Sequence, residues 1–176
     1  IYGDAEQMPT SEENTPKPSS PYGVSKLACE NLCYLYWKNY NIPYLALRYF
    51  SVYGPRQRPD MAFHKFFRAA LEEKEIEIYG DGNQTRDFTY ISDVIDATIK
   101  TIENPAVGES LNIGGGSSAT LWQVLETIEG FSSKKFRIRR IEEQKGDVRH
   151  TCANITKAQR LLGYSPQIRL EEGLRK

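Results

Sequence analysis

The chain has 176 residues, enough for one domain or one and a half, with 39% hydrophobic and 26% charged residues, an ordinary soluble composition. Lys plus Arg equals Asp plus Glu at 23 each, which gives no support to nucleic acid or an anionic membrane as partner. No apolar run approaches the ~20 residues of a bilayer span, and Ile1 opens no leader-like segment. Cys29, Cys33 and Cys152 lie far from both histidines and make no metal-ligand spacing, so no metal is expected. Cys29 and Cys33, one helical turn apart, read as small core residues of a protein in a reducing, cytoplasmic compartment.

In chain order, residues 4–21 carry Pro9, Pro16, Pro18 and Pro21 among acids and serines, the pattern of an irregular loop over a site mouth. A helix is expected from about Tyr22 to Tyr40, with Leu27, Leu32, Leu35 and Tyr36 inward and Pro43 ending it. Tyr44 to Phe50 reads as a buried strand and residues 51–60 as a loop. Met61 to Lys74 is an amphipathic helix with Phe63, Phe66, Phe67 and Leu71 inward, followed by a strand at Glu75 to Tyr79. Gly80 to Asn83 is a turn and Asp87 to Tyr90 is extended. Ser92 is expected to cap a helix to Glu103, and Ser110 to Ile113 a strand ending in the tight turn Gly114-Gly115-Gly116. Thr120 caps a helix to about Glu129, Phe136 to Ile141 alternates as a strand, and Thr156 caps a short helix ending at Gly163. Alternating strands and helices argue for an α/β fold.

The most informative stretch is Tyr22-Gly23-Val24-Ser25-Lys26. A tyrosine and a lysine four apart on a helix share one face. A tyrosine phenol titrates near 10, and an adjacent ammonium favours the phenolate; lowering that value by ~3 units takes about 4 kcal/mol. The product would be a general base for removing a proton from an alcohol as hydride leaves its carbon. Alone, Tyr-x-x-x-Lys is common on amphipathic helices. Here it sits within Ser20-Pro21-Tyr22-Gly23-Val24-Ser25-Lys26-Leu27-Ala28-Cys29-Glu30, which resembles the active-site helix of the extended short-chain dehydrogenase/reductase family. Four later blocks resemble the same family. They are residues 47–57 (Leu47 to Gln57), residues 78–88 (Ile78 to Phe88), Leu111-Asn112-Ile113-Gly114 and Gly146-Asp147-Val148, in the order and spacing of nucleotide-sugar epimerases.

The resemblance implies NAD as cofactor, a UDP-sugar as substrate, and a homodimer. It implies the C-terminal part of an extended Rossmann-type fold plus a small α/β substrate-binding domain. Residues 1–52 would be the remnant of the nucleotide domain, and residues 53–176 mainly the substrate domain. No G-x-G-x-x-G follows a strand, and the Ser/Thr run that carries a third catalytic group in the family would precede Ile1. The chain is therefore expected to be the C-terminal part of a larger enzyme.

By resemblance, Tyr22 is the base, Lys26 its partner and a ribose ligand, and Tyr49 and Phe50 approach the nicotinamide. Both aromatics also suit a core. Ser51 stands where glucose-type epimerases often have Asn and UDP-glucuronate epimerases often have Thr; its hydroxyl can donate to a carboxylate or phosphate, or satisfy a local backbone group. Arg58-Pro59-Asp60-Met61 resembles the glucuronate enzymes, and Arg58 is favoured as a substrate contact. His64 reads as an ordinary helix histidine. Tyr79 joins the substrate site. Arg86 is the diphosphate candidate because a guanidinium forks onto two phosphate oxygens; its competitor is an ion pair with Asp87 or Asp93. Asp81 reads as a turn former, and Asp147 as an acceptor for ribose hydroxyls. Gln144 occupies a position often held by Arg in the family.

The function expected is an NAD-dependent nucleotide-sugar 4-epimerase working through a 4-keto sugar, UDP-glucuronate rather than UDP-glucose. UDP-glucose 4-epimerase and sugar-nucleotide 4,6-dehydratase stay open as alternatives, as does a different class altogether: an inactive fragment or a sugar-nucleotide binding module.

Overall fold

The computed structural model describes residues 1–104 and 108–176. Helix α1 (Pro21–Tyr40) is followed by β1 (Leu45–Tyr49), β2 (Ser51–Tyr53), α2 (Ala62–Glu72), β3 (Glu75–Tyr79), β4 (Thr85–Tyr90) and α3 (Ile91–Glu103). Then come β5 (Glu109–Ile113), β6 (Ser118–Thr120), α4 (Leu121–Ser132), β7 (Arg137–Ile141), α5 (Thr156–Leu162) and α6 (Leu170–Arg175). Among the described residues the strands form three small sheets, β1-β5, β2-β4-β6 and β3-β7. All pairings are parallel except β4 with β6.

Two apolar cores result. In one, Val94 and Ala97 of α3, Leu111 and Ile113 of β5, Ala158 and Leu162 of α5 and Tyr164 pack with Leu45, Leu47 and Val52. The other gathers aromatics: Tyr53 lies 5.0 Å from Phe63 and 5.4 Å from Tyr90, ring centre to ring centre, and Phe63 lies 4.9 Å from Phe88. Ile76 and Ile78 of β3 and Val124, Leu125 and Ile128 of α4 complete it. Val52 belongs to the first core and Tyr53 to the second, where the sequence suggests a domain boundary. Residues far beyond that point, from α3, β5 and α5, nevertheless build the first core.

Several local expectations are corrected. Helix α1 is capped by Ser20, whose Oγ accepts from Gly23 N at 3.1 Å, and ends at Asn41 in the left-handed region. Of the four residues expected inward only Leu27 is half-buried: Leu32, Leu35 and Tyr36 are exposed, as are Cys29 and Cys33. Its packed stripe is Gly23, Leu27, Glu30 and Trp37, and only Gly23 is fully buried. Strand β1 is half-buried, because β5 is its one described partner. The expected loop after it begins as strand β2. On α2, Phe63, Phe66, Ala69 and Ala70 point inward, one helical face, while Leu71 is exposed. Ser92 is inside α3, whose cap residue is Tyr90. Thr120 and Gln123 form a complete capping box on α4, which runs on to Ser132. Thr156 opens α5 as a helical residue, and the Asn154 side chain accepts its N–H at 3.0 Å. Strand β6 has no counterpart in the sequence reading.

Candidate active site

The loop before α1 is pinned by backbone and side-chain bonds. Thr10 N donates to Cys152 O at 2.8 Å and Asn154 N donates to Thr10 O at 2.9 Å. Buried Asn112 of β5 donates from Nδ2 to Thr10 O at 2.9 Å, accepts the Tyr2 hydroxyl at 2.7 Å, and donates its backbone N–H to Glu12 at 2.7 Å. This holds the start of α1 in place. Gly23 sits so close to Pro18 that a Cβ would approach its Cβ to 2.9 Å. Tyr22 stands at the helix start with 71% of its surface exposed, and Lys26 Nζ lies 5.3 Å from the centre of its ring. The pair is therefore assembled as the i, i+4 spacing requires, on an open face.

Ligands of parallel α/β folds bind at the carboxyl ends of the strands, and Tyr49 and Phe50 stand at that end of β1. Phe50 N donates to Ile113 O at 3.0 Å, and Phe50 is half-buried. Thr98 Oγ1 donates to Val94 O, so the Tyr49 hydroxyl donates to Thr98 Oγ1, at 2.8 Å; Tyr49 leans onto α3. Ser51 opens β2 opposite Phe88, half-buried, and its hydroxyl makes no hydrogen bond among the described residues.

A second cluster is built by β4 and the segment after β7. Thr85 N donates to Arg149 O at 3.0 Å and Thr151 N donates to Thr85 O at 3.1 Å, laying the segments side by side. Arg86, with its side chain 18% exposed, donates to Thr85 O, Arg149 O and Asp147 Oδ1, the last at 2.7 Å. Two residues marked separately in the sequence are thus an ion pair. Neither expected competitor holds Arg86. Asp87 is fully buried and accepts from Gly115 N at 2.6 Å and Ala153 N at 2.9 Å; burial pushes its carboxyl above the usual range. Asp93 accepts from Ile168 N.

Asp81 forms its turn by accepting from Asn83 N at 2.9 Å, and also receives Arg149 at 2.7 Å. Arg149, which also reaches Glu143, went unmarked in the sequence; its place two residues after Asp147 was the available signal. Tyr79 ends β3, partly exposed, with its carbonyl accepting from Gln84.

The two clusters touch. Ser19 Oγ donates to Gly146 O at 3.5 Å, and Gly146 packs against Ser19 and Ser20, so the Asp147 loop abuts the start of the Tyr22 helix. Arg58 is not part of this arrangement: it is exposed and forks onto Asp60 at 3.1 and 2.8 Å. His64, Arg56 and Gln57 instead line a cavity of about 650 Å³ with Tyr53, Phe63 and Phe67, which includes none of Tyr22, Lys26, Arg86 or Asp147. Among the described residues, no helix is long and apolar enough to cross a membrane, and no three His, Cys, Asp or Glu side chains cluster as a metal site.

The family model described as GDP-mannose 4,6 dehydratase matches residues 1–176. An uncharacterised UDP-glucose epimerase of Bacillus subtilis is 43% identical over 99% of this chain and 55% of its own length. A UDP-glucuronate 4-epimerase of Thermodesulfobacterium geofontis is 42% identical over 90% of this chain and 49% of its own. The crystal structure of UDP-glucuronic acid 4-epimerase from Bacillus cereus, in complex with UDP-glucuronic acid and NAD, superposes with a TM-score of 0.96 at 46% identity, over 99% of this chain and 56% of that one. The chain spans about half the length of the curated relatives it matches.

Proposed function

Because the chain belongs to the GDP-mannose 4,6-dehydratase family, we propose that it carries the active-site helix and much of the sugar-nucleotide site of an NAD-dependent 4-epimerase acting on UDP-glucuronate. The observation that carries this reading is the contact of the Gly146–Asp147 loop with Ser19 and Ser20. It brings the loop that pairs with Arg86 against the start of the helix that carries Tyr22 and Lys26. The Bacillus cereus and Thermodesulfobacterium geofontis relatives support the choice of sugar.

The residues present fit the cofactor. The Tyr22 ring is open, Lys26 Nζ makes no ion pair among the described residues, and Tyr49 and Phe50 stand at the carboxyl end of β1. When bound, NAD supplies hydride acceptance and return. Tyr22 Oη takes the proton of the sugar C4 hydroxyl, with Lys26 favouring the phenolate and donating to ribose hydroxyls. After the 4-keto sugar turns over in the pocket, so that the new C–H bond at C4 forms on the opposite face, the Tyr22 hydroxyl returns its proton to the C4 oxygen. Arg86 has five N–H donors, of which three are engaged, leaving two for a diphosphate. Asp147 accepts from ribose hydroxyls, Tyr79 borders the nucleotide, and Ser51 and Arg58 meet the sugar carboxylate, Arg58 by leaving Asp60. The exposed Leu32, Leu35, Tyr36 and Tyr40 of α1 support a homodimer. The unpaired cysteines support a cytoplasmic location.

The test is Tyr22→Phe in the full-length enzyme. Turnover should fall ~10²–10⁴-fold while NAD still binds. Turnover near the parent's would remove Tyr22 from its role. A second reading, a sugar-nucleotide 4,6-dehydratase, is favoured by the description of the matching family model. Detection of a 4-keto-6-deoxy product in place of the C4 epimer would select it.

A further inference from the structure

Helix α1 meets the rest of the described chain along Gly23, Leu27, Glu30 and Trp37, so a carboxylate occupies the middle of its packed stripe. Arg48 of β1 holds that carboxylate by both oxygens: Nε donates to Oε1 at 2.8 Å and Nη2 to Oε2 at 2.7 Å. The two side chains are only 10% and 15% exposed. Arg48 Nη1 also donates to the Tyr2 hydroxyl at 2.6 Å, which continues to Asn112. Around the pair stand Tyr2 from the leading loop, Ser110 of β5, Glu12 beyond Tyr2, and Tyr44 and Cys33 nearby.

Tyr22, Lys26 and Glu30 lie on successive turns of α1. Lys26 thus has two neighbours one turn away, a phenol on one side and a carboxylate on the other, and lysine and glutamate pair readily at that spacing. Lys26 makes no ion pair among the described residues and lies over the Tyr22 ring instead. Arg48 has already taken both oxygens of the competitor.

We propose that Arg48 is a positioning residue for the proton-transfer pair: by gripping Glu30 with both nitrogens it fixes α1 on β1 and keeps the Glu30 carboxylate from Lys26. This rests on the reading of Tyr22 as the base. Without Arg48, a half-buried unpaired carboxylate is strongly unfavourable, and Lys26 is the nearest cation on the helix. The ammonium then serves Glu30 at the expense of the phenolate.

The experiment measures kcat against pH in the full-length enzyme with NAD and UDP-glucuronate. Arg48→Met should move the acidic limb to higher pH by about one unit, with KM for the sugar unchanged. Adding Glu30→Gln removes the competing anion and should bring the limb back. Arg48→Lys, which keeps the charge but loses the fork, should give a smaller displacement and serves if Arg48→Met fails to fold. A kcat lowered equally at all pH in both Arg48 variants, or a limb that stays displaced in the double variant, would overturn the proposal. Tyr22→Phe in the same series separates the underlying reading: near-parental turnover there sinks Tyr22 as base, whatever Arg48 does.

Discussion

Helices α4 and α1 are both capped and rich in apolar residues, yet α4 buries Val124, Leu125 and Ile128 almost completely while α1 buries only Gly23. The difference lies in what each meets. Helix α4 closes over the aromatic core of Tyr53, Phe63 and Phe66, where non-directional burial supplies the stability. Helix α1 is attached through a cap, an ion pair and the edge of Trp37 against Tyr44, which fix direction more than they supply energy. The comparison separates the part of the chain that makes the fold from the part that carries the Tyr22–Lys26 pair.

The largest effect that sharpens this contrast is Phe63→Ala. It should cost about 3–5 kcal/mol in denaturant unfolding, because Phe63 touches Tyr53, Phe66 and Phe88. A loss below about 1 kcal/mol would break the claim that the aromatic core dominates.

At the seam between the regions, Ser51→Ala in the full-length enzyme should lower kcat/KM for UDP-glucuronate roughly 10–150-fold, the worth of one charged hydrogen bond, and spare any UDP-glucose activity. Equal loss on both sugars would favour UDP-glucose as substrate.

Next comes a pH effect. Burial, then the nearby Asp93 and Asp87, push the Tyr164 phenol above its ordinary value; burial, then Tyr90 and Asp93, do the same to Tyr53. A phenol that releases its proton more readily unfolded than folded leaves stability intact below about pH 10 and removes it as pH rises further. Tyr164→Phe should make this alkaline fall shallower, while costing about 1 kcal/mol at neutral pH for the bond to Gly114 O. An unchanged alkaline slope would contradict it.

Thr120→Ala should cost about 1 kcal/mol by removing the capping box of α4. The smallest effect is Leu35→Ala on α1, within about 0.5 kcal/mol for the chain by itself. A loss comparable to Phe63→Ala would mean that α1 packs as α4 does.

What was legible in the sequence follows the distance over which each feature is written. The Tyr22–Lys26 pair and the Thr120 cap are encoded within one turn of helix, and both are present as spaced; Gln123, which completes the capping box, was not marked. The α/β alternation and the inward face of α2 were legible through periodicity, apart from Leu71. Arg86 and Asp147 could each be marked but not paired, because 61 residues separate them and only the alignment of Thr85 with Arg149 joins them. Strands β2 and β6, three residues each, exist through pairing with β4 and carry too little pattern of their own. Leu32 and Leu35 were placed inward because periodicity reports that a face is apolar, not which element covers it.

Gly146 lies close to Ser19 and Ser20 at the point where the two clusters meet, and its carbonyl accepts the Ser19 hydroxyl. A Cβ at residue 146 would lie 3.0 Å from Ser19 O, and the glycine adopts φ +82. The spacing between the two clusters is therefore set largely by main-chain atoms, with the short Ser19 side chain as the polar link across it. Substitutions among the other side chains of either cluster leave that main-chain spacing in place. Any L-residue at 146 works the other way, as a spacer that pushes the clusters apart while leaving their polar side chains in the sequence.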